Sequence, residues 1–168
     1  VNWEQLAAAL KDGSISLGEW TSQMRALIVQ EQDTAMMLIK GGREFVTFSD
    51  WGYVGSEVKK QYAFLDNFAK DIAADPAKWM TGRLDNRMNL YRESGYAALE
   101  RFERREKIND GFTEERRVLG AADHCNGCLA QASLGWQPIG TLDEIGAEEC
   151  NQNCRCEFEY RNSKDQTE

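Results

Sequence analysis

All five cysteines of this 168-residue chain fall between residues 125 and 156, spaced as C-x2-C, then 21 residues, then C-x3-C-x-C. A disulfide framework usually spreads an even number of cysteines through the fold, whereas two close groups separated by a loop are the arithmetic of a zinc site. A tetrahedral ion takes four thiolates or imidazoles at ~2.0–2.3 Å, and a C-x2-C turn supplies two adjacent corners from one short piece of backbone. The spacing therefore places one structural Zn2+ on Cys125, Cys128, Cys150 and Cys154, with Cys156 as the alternative ligand. Cys156 shares strand parity with Phe158 and Tyr160. On an extended strand its side chain lies roughly 6–7 Å from that of Cys154, too far to share an ion unless the strand bends. A site using Cys154 with Cys156 and leaving Cys150 free stays open. His124 is the sole histidine and adjoins Cys125, and adjacent residues seldom both reach one metal. Free buried thiols, or a disulfide formed in an oxidising setting, are the competing readings.

Ahead of the cysteines the apolar residues recur with helical period. Trp3, Leu6, Ala7 and Leu10 form a short stripe ending at Gly13. Ser16 and Glu19 match a capping box before a longer run that Gly41-Gly42 stops. Ser49 is the next candidate cap, ahead of Trp51, Val54, Val58, Leu65, Phe68 and Ile72, and Asp75-Pro76 interrupts that run. From Ala77 a third long helix carries Met80, Leu84, Met88, Tyr91 and Phe102. Thr113 is expected to cap a shorter helix leading to the first cysteine pair. Irregular backbone is expected over residues 135–153, which are rich in Gly, Pro and Asn, followed by a strand in which Cys156, Phe158 and Tyr160 alternate with charged residues. The expectation is a mainly α fold, a bundle of three or more long helices followed by a small zinc-stapled loop-and-strand module. Residues 1–112 form the helical region, 113–161 the cysteine-rich zinc-binding module and 162–168 a polar tail.

Lys and Arg total 20 against 28 Asp and Glu, a net charge of -8 that opposes nonspecific adhesion to nucleic acid or an anionic membrane. No apolar stretch approaches the ~20 residues that span a bilayer, so the chain reads as soluble, unsecreted and without a membrane partner. Arginines along the third long helix are interspersed with Glu93, Glu100, Glu103 and Glu106, which makes a mixed-charge face and leaves nucleic-acid binding weak. The carboxylates of Glu114, Glu115, Glu148 and Glu149 read as solvated surface charges. With one histidine, no phosphate loop and no nucleophile beside a base, no catalytic residue is assigned and the chain is not read as an enzyme.

The segments HCNGC, GWQPIGTL and CNQNCRC, followed by an aromatic strand, resemble the tailed-bacteriophage head-morphogenesis and minor capsid proteins of the Mu F-like kind. Many members of that family carry a histidine and a proline ahead of N-C-R-C, where this chain has Cys150 and Asn151-Gln152. The resemblance implies a noncatalytic virion or head-assembly protein, found in the virion and in the host cytoplasm during assembly. Its implied partners are portal and capsid proteins or further copies of itself. A zinc-stabilised nucleic-acid-binding protein in genome packaging or delivery is the alternative, and an enzyme with an unrecognised site comes third.

Overall fold

Helix boundaries in the computed structural model, which describes residues 2–163, follow from side chains that satisfy the free N–H groups of each first turn. Helix α1 (Trp3–Lys11) is capped reciprocally by Asn2 and Gln5. Helix α2 (Leu17–Lys40) begins on the expected Ser16–Glu19 box, with Ser16 N–H donating to Glu19 Oε2 at 2.8 Å. Gly41 ends α2 at φ 79°, the left-handed conformation that glycine adopts without steric cost.

Helix α3 (Phe48–Ala74) starts one cap earlier than Ser49 would place it. Thr47 Oγ1 accepts from Asp50 N–H at 3.2 Å while Asp50 Oδ2 accepts from Thr47 N–H at 2.9 Å. The reciprocal box needs an acceptor side chain three residues on, and the residue three beyond Ser49 is Gly52, which has none. The expected third long helix is also divided. Asp75 caps a single turn, α4 (Pro76–Trp79). The chain then breaks at Met80–Thr81 and resumes as α5 (Gly82–Asn109), where Thr81 Oγ1 accepts from Arg83 N–H at 3.3 Å.

The chain divides into two compact units, Val1–Gly95 and Tyr96–Glu168. In the first, Trp3, Leu6, Trp20, Met24, Leu65 and Phe68 share one buried core, with Trp20 edge-on to Phe68 at 5.7 Å between ring centroids. Among the described residues no helix is long and apolar enough to cross a membrane.

In the second unit the expected helix after Thr113 is instead strand β1 (Glu114–Val118). It is the centre of a three-stranded antiparallel sheet, flanked by β2 (Gln137–Pro138) and β3 (Glu157–Arg161) in the order β2-β1-β3. Glu115 pairs with Tyr160 and Arg117 with Phe158, so two charged residues of β1 occupy inward positions. Burial at every second residue is a strand's signature, but ionic inward residues hide it from a reading based on hydropathy. Glu115 is fully buried rather than solvated: Arg104 on α5 grips it through Nε–Oε2 at 2.8 Å and Nη2–Oε1 at 3.0 Å. Leu142 N–H donates to the same carboxylate at 3.1 Å. The tract from 135 to 153 is mostly irregular, as expected, interrupted by β2 and a 3-10 turn at Asn151–Asn153. Phe158 on the final strand faces inward, and Cys156, just ahead of that strand, is also buried. The part of the expected polar tail beyond Ser163 lies outside the described residues.

Candidate metal centre

Helix α6 (Asn126–Ser133) begins at the C-x2-C turn, with Cys125 as its cap: Cys128 N–H points at Cys125 Sγ at 3.5 Å. The turn buries Cys128 completely. Cys150 approaches from the loop, and Asn151 follows it with φ 47°, a left-handed residue that lets the chain reverse before Cys154. Gly120 makes the last approach possible. Its Cα faces the main-chain carbonyl of Arg155 so closely that a Cβ would overlap it, which brings the segment carrying Cys154 and Cys156 against the strand-to-helix loop.

All five cysteines therefore converge, and they do so as two triads that share one member. Cys125, Cys128 and Cys150 lie within 4.8 Å of one another, as do Cys128, Cys154 and Cys156. Cys128 Sγ is 3.5 Å from Cys150 Sγ and 3.6 Å from Cys154 Sγ. Sulfurs at two corners of a tetrahedron with ~2.3 Å metal–sulfur bonds are about 3.8 Å apart, so these separations suit a shared cation. They are far beyond the ~2.05 Å of a disulfide. The cysteine cluster can hold a metal ion.

The sequence places Cys125, Cys128, Cys150 and Cys154 on one ion, and the structure brings all four to the cluster. It also corrects the distance expected for Cys156. Strand β3 starts at Glu157, so Cys154 to Cys156 is not regular strand, and the two sulfurs sit within 4.8 Å instead of a full strand repeat apart. Cys156 is fully buried in the same cluster, with Leu142, Ile145 and Phe158 around it.

Two residues near the sulfurs carry roles that the sequence did not indicate. Arg117, almost wholly buried on β1, donates from Nη1 to Cys128 Sγ at 3.4 Å. Its Nη2 is directed at the main-chain carbonyls of Asp143 and Glu144, and its guanidinium lies 5.5 Å over the Phe158 ring. No ion pair to a carboxylate is seen for it among the described residues, and Cys128 Sγ is the group in its reach that could carry a balancing charge. The outward-inward alternation of β1 was the available signal, and it becomes legible only once the strand is recognised. His124, set aside because it adjoins Cys125, is held by Gly120: Nε2 is 2.7 Å from the Gly120 carbonyl, and Nδ1 faces Cys156 Sγ at 3.7 Å.

Burial opposes the ionisation of three of the five thiols. Burial pushes Cys128 and Cys150 upward and Cys156 up to about 12. Cys125 and Cys154 move the other way, Cys125 down to about 7 chiefly because the Cys128 N–H points at its sulfur, and Cys154 downward because its burial is outweighed by the Cys156 N–H and neighbouring thiols together. The chain matches no family model, no curated protein and no solved structure.

Proposed function

We propose that this protein is a noncatalytic phage virion or head-assembly protein whose cysteine cluster holds structural Zn2+. The observation that carries the metal reading is the pair of cysteine triads meeting at Cys128. Zinc is the ion that a thiolate-rich, tetrahedrally spaced donor set favours. Bound there, it would supply the cross-link that a loop poor in apolar residues lacks, tying α6 to the 150–156 segment and to the sheet. A sulfur-dominated donor set supports a structural rather than a hydrolytic ion.

The assembly role rests on the resemblance of the segment 124–161 to the Mu F-like head proteins. Many arginines that a packaging role would need are engaged in ion pairs: Arg92 with Glu4, Arg104 with Glu115, Arg116 with Glu159 and Arg161 with Glu114. Metal analysis of protein purified without chelators tests the first part, with zinc expected at one or more per chain. Metal-free protein with five freely reactive thiols would overturn it. Cosedimentation with portal and capsid proteins tests the second, and submicromolar DNA binding that survives ~0.2 M salt would replace it with the packaging role.

A further inference from the structure

Resting on the zinc reading above, we infer that the cluster is built for two divalent ions bridged by the Cys128 thiolate. Among the described residues the sulfurs group as two triads rather than one tetrad, and Cys128 alone belongs to both. Three corners of an outer ion come from Cys125, Cys128 and Cys150. Three corners of an inner ion come from Cys128, Cys154 and Cys156.

His124 lies outside the 4.8 Å grouping of the inner sulfurs but faces one of them, and a turn of its ring toward Cys128 and Cys154 would make it the fourth corner of the inner ion. A carbonyl oxygen only accepts, so the 2.7 Å contact to Gly120 places the imidazole proton on Nε2 and leaves the Nδ1 lone pair free. That lone pair faces Cys156 Sγ at 3.7 Å, close to the ~3.6 Å separating nitrogen and sulfur on one tetrahedral zinc. A ligand histidine whose second nitrogen donates to a main-chain carbonyl is the usual outer-shell arrangement of metal sites. The adjacency of His124 and Cys125, which argues against both binding one ion, is no obstacle when each serves a different one.

Burial and charge agree with this partition. The inner triad is fully buried, as a site closed by four protein donors requires, whereas Cys125 and Cys150 are half-buried. Solvent oxygen is then the remaining donor of the outer ion, since the Glu148 carboxylate packs on Gly127 of the C-x2-C turn but lies outside the 4.8 Å grouping of the outer sulfurs. Five thiolates and two divalent cations leave one net negative charge, and the buried Arg117 guanidinium on Cys128 balances it. A single ion with four thiolates would leave twice that charge against the same arginine. A thiolate bridging two ions keeps one lone pair, which the Arg117 N–H occupies.

Native mass spectrometry of the full chain reconstituted with Zn2+ is expected to show two ions, and 113Cd-loaded protein two resonances coupled through a shared sulfur. His124→Ala is expected to weaken retention of one ion roughly tenfold or more against a chelator, leaving the other in place. One ion per chain, or two uncoupled cadmium signals, would overturn the bridged pair while leaving the structural zinc intact. No bound metal would overturn both. The count on the unsubstituted chain stands even if the His124 variant fails to fold.

Discussion

Glu115 and Arg104 show what a buried charge requires of its neighbours. Each would be costly alone, and their two-point contact, with Leu142 N–H completing the carboxylate, keeps both in the fold. Glu115→Ala strands the Arg104 guanidinium and is expected to destabilise the unit by about 3–5 kcal/mol in denaturant titration, whereas Glu159→Ala, at an exposed pair, is expected to cost under ~1 kcal/mol. Glu100 behaves differently. Burial, reinforced by the nearby Glu103 carboxylate, raises it from 4.5 to about 7, and the Phe158 N–H bond only partly opposes this. Folded protein therefore keeps a proton there that the unfolded chain loses first, and stability contributed by this group falls as pH rises from about 4.5 to 7. Glu100→Gln is expected to remove that slope, matching the unsubstituted chain near pH 4 and exceeding it above pH 7 by on the order of 1–3 kcal/mol. Parallel unfolding curves at both pH values would refute it. Cysteine spacing made the cluster legible in the sequence because ligand geometry is written in local chain distances. Arg117 and Glu115 were not legible, since an ionic residue in one sequence carries no mark of the partner that permits its burial.

At the level of elements, caps were readable where two residues reinforce one another and misread where only one was weighed. Ser16 with Glu19 locates α2, while Ser49, read alone, misplaces the start of α3, because the residue with an acceptor three positions on is Thr47. Thr47→Ala is accordingly expected to cost about 1 kcal/mol in thermal or urea unfolding. The break between α4 and α5 went unseen because the apolar period continues across it, through Met80 and Leu84. Strand β1 went unseen because its inward residues are charged. Gly120 belongs to this scale too, since it governs how closely the loop after β1 meets the 154–156 segment. Gly120→Ala drives a methyl group into the Arg155 carbonyl and displaces the carbonyl that holds His124. Loss of about 1–3 kcal/mol and weaker metal retention in chelator competition are expected together.

Over the whole molecule, the two compact units draw on different sources of stability, an aromatic and aliphatic helical core in Val1–Gly95 and a sulfur-centred cluster beside a small sheet in Tyr96–Glu168. Stripping the metal with a chelator is therefore expected to expose amides after about residue 110 to hydrogen exchange and leave α2 and α3 protected. Simultaneous loss of protection in α2 and α3 would refute that independence. The mainly helical architecture with its small appended module was legible from periodicity and composition, because long amphipathic runs leave little choice of fold. The strand order β2-β1-β3 has a kinetic consequence. The central strand forms its longest pairing with the last strand of the described chain, Glu114 opposite Arg161, so β1 waits for the whole segment between Val118 and Glu157 before its sheet can close. In vectorial synthesis the helices of the first unit are complete well before that closure, and Cys125 and Cys128 leave the ribosome ahead of their three partners. Capture of an ion by the early pair would shorten the effective loop between the two cysteine groups, so a bound metal would act on the rate of folding as well as on its end point.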